Sequence, residues 1–143
     1  SLIENQKLLI SATWNTFKQG INSRYRQSVE TLAESQMELI SALDAAVQEL
    51  TPSKEISDLV AESKSLMEKS LDLINESLES EEIKILRSAI PVQTQTLQKL
   101  LKIFSENESN VSRNQNPQQS QQGQANRSQR MLDQLEFNQN QNN

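Results

Sequence analysis

The chain has 143 residues, no Cys, no His, 2 Gly and a formal net charge of −5. Without His or Cys it holds no Ser-His-Asp triad, no thiol nucleophile and no zinc site of the usual nitrogen and sulfur ligands. Two glycines leave no room for a phosphate-cradling loop or a dinucleotide fingerprint. No residue takes a catalytic role, no cofactor or metal is expected, and the reading is of a protein that is not an enzyme.

Apolar residues make up 34% of the chain and the mean hydropathy is −0.68, below the roughly 45–50% apolar content of ordinary globular domains. Part of the chain is therefore expected to be unfolded or built into thin helices. An acidic chain repels phosphate backbones, and Lys and Arg form no basic stripe, so nucleic acid is not an expected partner. No run approaches the ~18 apolar residues of a membrane span, and no signal-peptide core is visible. The missing cysteines fit a reducing, cytoplasmic compartment. The chain starts at Ser1, which is compatible with removal of an initiator Met or of a longer N-terminal segment.

Residues 2–50 contain no Pro and a single Gly, and they read as one long helix. Ile10, Trp14, Phe17, Ile21 and Tyr25 recur at helical steps. Val29, Leu32, Gln36, Leu39, Leu43, Ala46 and Leu50 continue the stripe with one polar member. The Ile21–Tyr25–Val29 spacing is a stutter that relaxes a left-handed supercoil, and Gly20 beside it suits a bend or a change of helix partner. Leu8, Leu9 and Ile10 widen the apolar face, which invites several partner helices or an apolar surface. Leu9, Ile10, Trp14, Phe17, Ile21 and Tyr25 are accordingly the candidate contact residues, for a bundle core or for a surface.

Thr51-Pro52-Ser53 ends this helix and caps the next, expected over residues 54–78. Its heptads place Leu59, Leu66 and Leu73 at one position and Ser63, Ser70 and Ser77 at the facing one. That pairing of a Leu row with small residues is the candidate oligomerisation seam, with a bundle helix of thin stripe as the alternative. A third helix is expected over 81–104, opened by Glu81 and Glu82 and kinked or divided at Pro91. The fold class is all-α: an elongated bundle or hairpin of three long amphipathic helices with coiled-coil character. Residues 105–143 are about half Asn and Gln, the bias of a disordered polar tail. Within it Met131, Leu132, Leu135 and Phe137 form a short amphipathic island at 129–137, a candidate docking peptide.

Asn5-Gln6-Lys7 opening a helix with Trp14 and Phe17, the segment MELISALDAAVQEL, the break at Thr51-Pro52 and a second amphipathic helix follow one another between about Asn5 and Leu78. In order and length this half of the chain resembles phasins, small bacterial proteins that coat polyhydroxyalkanoate storage granules. The resemblance implies a granule-associated structural amphiphile: apolar helix faces on the polyester, polar faces outward, and homo-oligomers formed through the seams. Two other readings stay open, a helical adaptor or assembly scaffold with a protein partner at the tail, and a subunit of an exported membrane-active helical toxin. A membrane surface stays open as a partner.

Overall fold

A computed structural model describes residues 1–113. It holds four α-helices and no strand among them: α1 Leu2–Gln19, α2 Tyr25–Val47, α3 Lys54–Ser80 and α4 Ile83–Arg113. Each helix packs on its neighbours in the order α1–α2–α3–α4, and α4 closes the ring by packing on α1. Antiparallel neighbours follow from the short links, so this is an up-down-up-down bundle.

The expected helix over 2–50 is two helices, a correction to the three-helix reading. Gly20 ends α1 with φ 74° and ψ −173°, a conformation essentially confined to Gly. Asn22 Oδ1 then accepts the Arg24 backbone N–H at 2.9 Å and opens the way to α2. Ile21 falls in this turn and is 53% exposed, so the apolar stripe is interrupted there and resumes at buried Tyr25. The stripe from Val29 to Leu43 becomes the buried face of α2.

Pro52 and Ser53 separate α2 from α3 as the residues require. Ser53 Oγ accepts the Ile56 N–H at 3.1 Å, an N-cap bond. At the other end Glu81 caps α3 in the left-handed region at φ 54°, so it closes α3 and does not open the next helix. Pro91 does not divide α4, which runs through it. Its ring is exposed, while Ile90 and Val92 on either side are buried. The carbonyl that loses its donor thus lies on the solvent side, where water can satisfy it. The helix also continues through residues 105–113, which the composition places in the tail. The island at 129–137 lies outside the described residues.

The core is built from Val29, Leu39 and Leu43 of α2, Ile56, Met67 and Ile74 of α3, and Leu86, Leu100 and Ile103 of α4. A second cluster joins Ile10 of α1 to Ile90, Leu97 and Leu101 of α4. Between them lies a polar layer. Gln6 Nε2 donates to the Gln93 carbonyl at 2.9 Å, and Gln93 Nε2 donates to Ser70 Oγ at 3.2 Å. Gln36 of α2 falls near the same level, between the Tyr25–Ser77 and Asp44–Lys64 contacts. Each helix thus contributes one fully buried polar residue near this level, three of them linked by hydrogen bonds.

This layer is incompletely satisfied. Both amide atoms of Gln36, and Oε1 of Gln6 and of Gln93, have no hydrogen-bond partner. A buried polar group left in that state costs about 1–3 kcal/mol. Replacing Gln36 by Leu, of similar volume, is therefore expected to raise the free energy of unfolding by about 1–3 kcal/mol, read from urea denaturation. A loss of stability would mean that the amide is favourably paired in solution.

An exposed helical edge with a capped aromatic pair

α1 is the shortest of the four helices at 18 residues, against 31 for α4. Its buried residues are Gln6, Leu9, Ile10, Thr13 and Thr16, so three of five are polar. The two threonine hydroxyls turn back to their own helix, donating to the Leu9 and Ala12 carbonyls at 2.8 Å. Such bonds satisfy the hydroxyl but tie α1 to nothing else. Its apolar anchorage is mainly Leu9 and Ile10, helped by half-buried Leu2, Ile3 and Trp14.

The six candidate contact residues therefore divide. Leu9, Ile10 and Tyr25 are buried in the bundle; Trp14 and Phe17 are half-buried; Ile21 is exposed. Trp14 and Phe17 lie side by side with ring centroids 5.7 Å apart. The Arg87 guanidinium, from the first turns of α4, sits 4.9 Å from the Trp14 centroid and 5.2 Å from that of Phe17. A cation over a ring face is attracted by the ring quadrupole. The pair is thus capped on its outer side by a charged, exposed side chain, while Trp14 packs inward on the cluster of Ile10, Ile90, Leu97 and Leu101. Leu8, 65% exposed, stands on the outer side of the same helix. Arg87 could not be foreseen from local pattern, since seventy or more residues separate it from the rings.

The α3 residues also divide. Ser63, Ser70 and Ser77 are fully buried inside their own chain, alternating with Met67 and Ile74 along the inner face. Ser77 Oγ donates to the Ile74 carbonyl at 2.8 Å, and Ser70 receives Gln93. Small side chains here let α3 lie close to its neighbours, and α3 and α4 share the most extensive contact in the bundle. Leu59, Leu66 and Leu73 flank this seam and are half-buried. At the end of the bundle beyond the reach of α1, α3 and α4 border an open groove of about 560 Å³. Leu59 and Leu101 form its apolar floor, and Glu55, Asp58 and Lys102 stand on its rim.

Among the described residues no cluster of three or more His, Cys, Asp or Glu side chains is arranged to hold a metal, and no helix is long and apolar enough to cross a membrane. No protein-family model, curated protein or solved structure matches this chain. Its functional reading rests on its own geometry.

The Arg87 cap carries a direct expectation. Arg87→Gln should uncover Trp14, shift its emission to longer wavelength and cost about 0.5–1 kcal/mol of stability. Unchanged emission would show that the guanidinium does not cover the ring in solution.

Proposed function

We propose that this protein is a non-catalytic amphiphile that coats apolar particles in the bacterial cytoplasm, of which polyhydroxyalkanoate granules are the leading candidate, and self-associates there. The observation that carries this reading is the α1 edge: Leu8 and Ile21 exposed, with Trp14 and Phe17 half-buried beside the Arg87 guanidinium. An apolar surface offers these side chains burial that the bundle does not, at about 25 cal/mol for each Å² removed from water. The polar inner face of α1 lowers the cost of exchanging bundle contacts for surface contacts. The phasin resemblance over residues 5–78 points the same way. Half-buried Leu59, Leu66 and Leu73 supply apolar area for neighbouring copies on a crowded surface. The Ser row is used inside the chain, so in this reading the Leu row alone serves self-association.

Co-sedimentation with polyhydroxybutyrate particles tests the proposal, with Trp14 as the built-in reporter. Binding should shift its emission to shorter wavelength. The double variant Phe17→Gln, Ile21→Gln should weaken binding about tenfold or more, since each apolar side chain returned to water loses about 1.5–3 kcal/mol. Absence of binding by the parent protein, or equal binding by the double variant, contradicts the reading. In the first case the adaptor reading takes its place.

A further inference from the structure

The order of the helices around the bundle sorts its charge. α1 and α4 lie side by side and together carry seven Lys or Arg against three Asp or Glu. α2 and α3 form the opposite layer, with four basic residues against eleven acidic ones. A chain of net charge −5 thus has one basic face. Not all of that charge is available. Lys99 is held by Glu62 at 2.9 Å, and Lys102 shares its groove with Glu55 and Asp58.

Three of the others lie toward the aromatic pair: Lys18 closes α1 and Lys84 and Arg87 open α4, all three exposed, whereas Arg24 lines the groove between α1 and α2. Exposed Ile21 and half-buried Trp14 and Phe17 lie among them. Of the acids at the same end, Glu79 belongs to α3, which lies diagonally across the bundle from α1, while exposed Glu81 and Glu82 stand in the turn that leads into α4, before Lys84. Basic side chains around aromatic and aliphatic ones match a boundary that is anionic at its surface and apolar just beneath. Trp suits such a boundary because its ring is apolar and its N–H polar.

We propose that the α1–α4 face near Trp14 docks on an anionic lipid surface. Lys18, Lys84 and Arg87 meet the headgroup phosphates, and Ile21 with the aromatic pair enters the acyl boundary. The acidic α2–α3 layer then faces away and keeps coated surfaces apart by repulsion. This goes beyond the coat reading, which concerns an uncharged polymer, and it does not depend on that reading.

The test is flotation of the full chain with vesicles of phosphatidylcholine alone and of phosphatidylcholine with about one third phosphatidylglycerol, following Trp14 emission. The proposal requires binding to the anionic vesicles with a shift to shorter wavelength, little binding to the neutral ones, and release as salt screens the charges. Each basic contact removed should lower the binding constant about fivefold. Lys18→Gln with Lys84→Gln, both at exposed positions and checked for an unchanged melting temperature, should therefore weaken binding about twenty-five-fold. Lys69→Gln, exposed on α3, should leave it unchanged. Equal binding to both vesicle types, no binding to either, or equal effects of the α1–α4 and α3 variants would overturn the proposal. Polymer binding without anionic-lipid preference removes this inference and leaves the coat reading in place. The reverse result removes the coat reading alone.

Discussion

The buried chain of Gln6, Gln93 and Ser70 is the constraint on which the bundle depends. An apolar stripe permits neighbouring helices to slide by a turn with little penalty, because one Leu substitutes for another. A glutamine that reaches a specific carbonyl or hydroxyl does not tolerate that shift. The Gln6–Gln93 and Gln93–Ser70 bonds thus set the level of α1 on α4 and of α4 on α3. The polar layer it belongs to limits stability, because several of its amide atoms have no partner. Register is specified at the expense of cohesion, as with single polar residues in coiled-coil seams.

That balance falls unevenly on the four helices. α4 buries Leu86, Ile90, Leu97, Leu100 and Ile103 among others, and its contact with α3 spans most of both helices. α1 buries two aliphatic side chains fully and holds its register through one glutamine. A helix anchored so lightly is the natural element to exchange bundle contacts for surface contacts. Its position on the basic side of a charge-sorted bundle gives such an exchange a direction. The half-buried aromatic pair, the exposed Ile21 and the exposed Lys18, Lys84 and Arg87 stand at the same end of the bundle. Burial, charge and limited cohesion converge on the same helix.

Much of the architecture follows from local pattern. The stripe Val29–Leu32–Gln36–Leu39–Leu43 identifies the inner face of α2, and Pro52 with Ser53 marks the start of α3, because periodicity and capping act within one helix. At Gly20 the sequence supports a bend or a change of helix partner without choosing between them, since a lone Gly is tolerated in helices and only the backbone angle shows that the chain turns there. Pro91 misleads in the other direction: its effect depends on whether the freed carbonyl faces water, which is a tertiary fact. Helix α4 outlasts its apolar stripe, and its continuation is tied to the α2–α3 link where Asn107 Oδ1 accepts the Thr51 N–H at 2.7 Å. The placing of Arg87 over Trp14, and the sorting of charge into two layers, depend on which helices become neighbours. Nothing in any single segment encodes that.

Native-state hydrogen exchange, resolved by residue, tests the central claim most directly: that α1 is the weakly held member of a bundle whose other three helices form its stable body. Subglobal openings appear as contiguous segments exchanging at a lower free energy than global unfolding. The account predicts that the amides of α1 exchange together at a distinctly lower free energy than those in the middle of α3 and α4, and with a weaker dependence on denaturant. Exchange of all four helices at one common free energy would show a single cooperative unit and contradict it.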